Sequence, residues 1–114
     1  MTQLQALGLT LIFEAAAGAA AARWLCRPAW QVALSFVAGS LCTHPMAWTS
    51  NAALAQWLDF APRAAIVEVC VALVEGALLG FALRTSLGPS VAVATFVNSV
   101  SFGAGLLGWW FGLL

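Results

Sequence analysis

The sequence predicts an all-α, polytopic membrane protein, with four transmembrane helices built as two helical hairpins that repeat in the same orientation. Three observations carry this. Of 114 residues, 63% are hydrophobic and only 7% are charged, whereas a soluble domain carries about a quarter charged residues. Four separate stretches have the ~20 apolar residues that crossing the hydrocarbon core requires. Residues 14–40 also align with residues 75–101 at a constant shift of 61. The four Arg balance the four acids to a net charge of zero. That composition excludes a soluble enzyme, a disordered chain and a nucleic-acid binder, which would need a basic face.

The spans run Leu4–Ala22, Ala29–Ala47, Ala64–Leu83 and Pro89–Leu114. They form a single four-helix domain over 1–114, with a first repeat over 4–48, a second over 62–114 and an outer loop over 49–61. Arg23 and Arg27 follow the first span, Arg63 precedes the third and Arg84 follows it. Trp24, Trp30, Trp48, Trp57, Trp109 and Trp110 fall near span ends, at headgroup level. Pro28, Pro62 and Pro89 stand at helix starts, where a missing N–H costs least. The short connections Arg23–Pro28 and Arg84–Pro89 make their flanking helices antiparallel neighbours.

The positive-inside bias places Arg23, Arg27 and Arg84 in the cytoplasm. Both termini and the long loop then face the periplasm, in a bacterial inner membrane. Within that loop, Asn51–Phe60 reads as a short amphipathic helix on the outer interface. Ala15–Ala22 offers small-residue sites like those of a signal peptide. The five residues before the first span carry no positive charge, so the segment reads as a retained helix.

The repeat matches Glu14 to Glu75, Arg23 to Arg84 and Pro28 to Pro89. Ala16, Ala21, Val32, Ala33 and Ser40 match Ala77, Ala82, Val93, Ala94 and Ser101. Alanine matches mean little in this chain, but a shared Glu means more because there are only three. Parallel repeats of this kind are related by an axis along the membrane normal.

The acids mark the candidate site. At 1.5 Å per residue, Glu14 lies ~15 Å into the first span, Glu75 ~20 Å beyond Pro62, and Asn98 ~14 Å beyond Pro89. These three share the middle of the membrane. Glu68 lies two turns outward of Glu75 on nearly the same face, and His44 near the outer end of the second span. A carboxyl at the bilayer centre costs about 2.5–3.5 kcal/mol, so these groups should face the bundle interior. Glu14 and Glu75, related by the repeat, should meet near its axis and bind a proton or a cation as one unit. Ser99, Ser101 and Thr43 are secondary polar candidates. Any of these residues can also serve as interhelical hydrogen-bonding glue.

Pro45 disfavours helix at His44, so His44 should sit at a kink or helix end. There it would meet Glu68, as a pair for a proton or a divalent metal. No other cofactor is expected. Small-residue stripes run through Ala6, Thr10, Glu14, Gly18 and Ala22, through Ala72, Gly76 and Gly80, and through Ser101–Gly105 and Ala104–Gly108. They place the acids at helix seams. Cys26, Cys42 and Cys70 have no disulfide or zinc spacing and read as small apolar fillers.

Thr43-His44-Pro45-x-x-Trp48, the Glu68-x6-Glu75 helix, and Asn98 with Ser99 or Ser101 before a Gly-rich tail resemble an uncharacterised group of small bacterial four-span membrane proteins. The likeness covers residues 40–108. It implies the bacterial inner membrane and no particular activity. In length and span count the chain is also similar to the small multidrug transporters, and Glu14 would match their first-helix glutamate. It departs from them in lacking Tyr and in adding Glu68 and Glu75. Fluoride channels share the size, but their pore is built without buried acids.

The leading expectation is a membrane transporter or channel for a cation or cationic solute, linked to protons. Glu14 and Glu75 would be central carriers, Asn98 a neutral ligand, and Glu68 with His44 the outer gate. Four short helices leave little aqueous room in one copy, so a homo-oligomer in the lipid bilayer is expected. The alternatives are an accessory or metal-handling subunit of a larger membrane complex, and an intramembrane enzyme on a lipid substrate with Glu68 and His44 as acid and base.

Overall fold

Thr2 starts the first helix with a reciprocal cap. Its hydroxyl accepts from the Gln5 N–H at 3.2 Å, and the Gln5 side chain accepts from the Thr2 N–H at 2.9 Å. This satisfies two of the donors that a helix start leaves unpaired. The computed structural model describes residues 2–113, and four α-helices account for most of them. They are α1 (Gln3–Ala21), α2 (Ala29–Leu54), α3 (Phe60–Leu83) and α4 (Leu87–Trp110). A 3-10 turn over Ala22–Leu25 extends α1 and closes on Cys26 in the left-handed region, φ 53°. α3 closes similarly on Arg84, also φ 53°, with the Thr85 N–H donating to the Gly80 carbonyl at 3.0 Å.

Each helix packs on the next in the order α1, α2, α3, α4, and α4 closes the ring on α1; the diagonal pairs do not meet. Arg27 ties the two short connections together at one end. Its Nε donates to the Leu83 carbonyl at 2.9 Å and its Nη2 to the Arg84 carbonyl at 3.2 Å. These carbonyls end α3 and have no helical partner, so a guanidinium there satisfies them and also suits the negative end of the helix dipole. At the other end, Arg63 Nε donates to Asn51 Oδ1 at 3.0 Å, joining the start of α3 to the end of α2.

The apolar core fills only the half of the bundle nearest the Arg27 end. Ala17 and Ala21 come from the end of α1, Ala22 and Leu25 from the 3-10 turn, Val32 and Phe36 from the start of α2, Leu79 from the end of α3, and Val93, Ala94 and Val97 from the start of α4. Small residues let these helices approach. A Cβ on Gly18 would stand 2.7 Å from Phe36 Cδ2, and one on Gly76 2.7 Å from Val91 Cα. The outer surface is apolar, with Ile12, Leu34, Leu41, Val69, Leu73 and Phe81 all exposed.

Three segments, Gln3–Leu25, Phe60–Leu83 and Leu87–Trp110, are long and apolar enough to cross a membrane, consistent with membrane localisation. α2 is longer still but is diluted by Gln31, Ser35, Ser40, Thr43 and His44, and of these Ser40 and Thr43 are buried. All six Trp side chains are exposed.

Several sequence expectations change. α2 continues seven residues past Ala47, unbroken through Pro45. The outer connection therefore shrinks to residues 55–59, and Asn51–Phe60 is no separate amphipathic helix. Its first residues extend α2, and Phe60 begins α3. The expected break at His44 does not form, because a proline forfeits one helical hydrogen bond and disfavours helix without forbidding it. The cysteines are not fillers: all three are exposed. On α4, no neighbouring helix lies close against Gly105 of the expected stripe, since a Cβ there would meet nothing within 4 Å.

Candidate functional site

Directly above the apolar core, all four helices bring a polar side chain to one level. α1 supplies Glu14, α2 supplies Ser40 and Thr43, α3 supplies Glu75, and α4 supplies Asn98. Glu14, Glu75 and Asn98 are only 2%, 3% and 4% exposed. Ser40 and Thr43, three residues apart, share a face of α2. Gly39 beside them packs against Glu75, whose Cγ would lie in ordinary contact, 3.7 Å, from a Cβ built there.

Ser40 joins the two carboxyls, its hydroxyl hydrogen-bonding Glu14 Oε2 and lying 3.2 Å from Glu75 Oε1. Thr43 donates to Glu75 Oε1 at 2.8 Å, and Asn98 Nδ2 donates to Glu75 Oε2 at 2.9 Å. The Asn98 amide is held in turn by donating to the Ala94 carbonyl at 2.8 Å. A serine hydroxyl carries one hydrogen, so it can donate to only one carboxyl at a time. Both Ser40 contacts are satisfied together when one carboxyl carries a proton and donates to Oγ. Glu75 already accepts from two other donors and fits the carboxylate role, which leaves Glu14 as the acid. With Glu14 protonated and Glu75 ionised, the group would hold one proton and one negative charge.

This cluster forms the floor of a cavity of about 1060 Å³ that continues toward the chain termini and the 55–59 connection. The walls are largely apolar, with Phe13, Val67, Val71, Phe102, Trp48 and Trp109 among them. Glu68 stands on the wall, half-buried and seven residues from Glu75, or ~10 Å along the helix. No Arg lines the cavity. Below the floor, Phe36, Val32 and Val97 are fully buried and close the passage.

The remaining candidates are placed as follows. His44 lines the cavity, and its buried Nε2 has no hydrogen-bond partner among the described residues. Its ring tilts against Trp48, with centroids 6.1 Å apart. It lies on the same cavity as Glu68, but no hydrogen bond joins the two. Ser101 also lines the cavity. Ser99 is exposed on the outer face of α4, because the 100° step per residue that buries Asn98 turns its neighbour away. Among the described residues, no three His, Cys, Asp or Glu side chains are grouped to hold a metal ion. The cavity is lined by residues of a single chain.

Sequence reasoning passed over Ser40 as a site residue. Two signals pointed to it: its match to Ser101 in the repeat, and its spacing from Thr43 on one helical face.

Compared with protein-family models, curated proteins and solved structures, the chain matches none.

Proposed function

We propose that this protein is a small membrane transporter or channel for a cation or cationic solute, coupled to protons through the Glu14–Ser40–Glu75 cluster. One observation carries the reading: two carboxyls share a hydroxyl at the floor of a large cavity with apolar walls and no cationic side chain. One negative charge in low dielectric draws a cation strongly. A proton and a cation competing for the same two carboxyls is the minimal chemistry of coupling. Asn98 and Thr43 orient Glu75, and Glu68 offers a carboxylate on the way in.

In this reading all four helices span a bacterial inner membrane. α2 is carried by burying its polar face against the others. Three of the four Arg lie at the end closed by the core, which makes that end cytoplasmic and opens the cavity to the periplasm. The two hairpins act as parallel repeats, each contributing one glutamate to the floor. Passage requires the Phe36–Val97 core to part, since apolar packing blocks that end.

The test is proton flux in liposomes, read with an internal pH dye, with and without an opposing ethylammonium gradient. Wild-type protein should exchange protons for ethylammonium. Glu14→Gln with Glu75→Gln should lower exchange at least tenfold. Undiminished exchange in that double variant would overturn the reading.

A further inference from the structure

A second, smaller crevice lies on the outer face of the α3–α4 seam, lined by Phe60, Ala64, Ala65, Glu68, Phe102 and Leu106 among others. Five of these six, all but Ala65, also line the main cavity. The cavity and the crevice thus lie side by side and share these lining residues, with Glu68 among them. Apart from Glu68, the crevice lining is entirely apolar.

We infer that the cavity binds a membrane amphiphile with a protonated amine head, its head on the Glu14–Glu75 floor and its alkyl chain leaving between α3 and α4 past Glu68. The inference rests on the reading of the carboxyl cluster as a cation site and names the class of cation. Three features select this ligand over a bare or hydrated ion. The volume of about 1060 Å³ is at the top of the ~300–1,000 Å³ range of sites for drug-sized molecules, far more than an ion occupies. Above the floor the polar lining is sparse, with Thr10, His44, Asn51, Glu68 and Ser101 scattered among largely apolar side chains, so a ligand filling that space must be largely apolar. The lateral crevice opens onto the apolar outer face, so a chain leaving through it exchanges one apolar surface for another at little cost.

The titratable groups facing the ligand are Glu14, Glu68, Glu75 and His44. An ammonium has three donors, and the floor offers carboxyl oxygens on two sides of it. A fatty acid would bring a second negative charge to the same place and should be rejected.

The experiment is calorimetric titration of the protein in lipid nanodiscs, with empty nanodiscs subtracted, using dodecylamine, butylamine and dodecanoate. Dodecylamine should bind at least tenfold tighter than butylamine, and dodecanoate should not compete with it. Ala65→Trp, which fills the crevice from α3, should bring dodecylamine down to the butylamine level and leave butylamine unchanged. Leu106→Trp fills the same crevice from α4 and should do the same. Equal binding of both amines, competition by dodecanoate, or full dodecylamine affinity in both Trp variants would overturn the inference. If ethylammonium exchange persists while dodecylamine fails to bind, only this inference falls. If the exchange also fails, the reading beneath it falls too.

Discussion

Gly76 sets the distance between α3 and α4, and replacing it by Ala tests the packing directly. The new Cβ would stand 2.7 Å from Val91 Cα, 2.8 Å from Val91 Cγ2 and 3.2 Å from Val91 Cβ. Carbon atoms in good contact are about 3.5–4.0 Å apart. The helices must therefore separate by roughly 1 Å, and the nearest obstacle is backbone that no rotamer change can move. Overpacking of this kind costs typically ~1–3 kcal/mol, offset by up to ~1 kcal/mol of helix propensity gained on replacing Gly. Gly105→Ala is the internal control. It gains the same propensity, and its Cβ meets nothing within 4 Å. The gap between the two variants is then the strain alone, about 1–3 kcal/mol, or roughly 5- to 150-fold in the folding equilibrium. Reversible unfolding in mixed micelles, followed by helical circular dichroism, measures it. Gly76→Ala should be the less stable of the two. Equal stability, or a less stable Gly105→Ala, would refute the close α3–α4 approach.

Other consequences follow from the same geometry. Ser40→Ala removes the hydroxyl shared by two buried carboxyls and should destabilise the fold by ~1–3 kcal/mol. Combined with Glu14→Gln it should be non-additive, and additivity within ~0.5 kcal/mol would show that the groups are uncoupled. Arg27→Ala deletes the bonds to the Leu83 and Arg84 carbonyls that join the two short connections. It should cost ~1 kcal/mol and speed amide hydrogen exchange at residues 83–86, and an unchanged exchange pattern there would contradict the clasp. Cys26 is exposed at the arginine-rich end, whereas Cys42 and Cys70 are exposed along α2 and α3. A membrane-impermeant maleimide should label Cys26 in inverted vesicles and not in intact cells. The opposite pattern would reverse the proposed orientation.

The helical fold was readable because the bilayer constrains it so tightly. Hydrocarbon leaves few ways to satisfy the backbone, so apolar runs of the right length are helices. Short Arg- and Pro-marked connections then bring neighbours together. Three of the four helices begin or end within four residues of the sequence reading at every boundary, while α2 does not. Its extension to Leu54 is accompanied by Arg63 bonding Asn51 and by α3 packing alongside, contacts that no local signal at Pro45 announces. The polar centre was also partly legible. Glu14, Glu75 and Asn98 were picked out by depth alone, since a polar group in mid-membrane must turn inward.

By itself, the sequence determined the all-helical class, the apolar exterior and the common depth of three polar groups, because the cost of burying charge and bare backbone in lipid acts on each residue wherever its neighbours lie. Only the tertiary structure decided that Ser40 links the two carboxyls, that Ser99 turns away, and that the core fills one half of the bundle and leaves a cavity in the other. Those outcomes depend on helix rotation and separation, which are set by contacts between distant segments such as Gly76 on Val91 and Gly18 under Phe36.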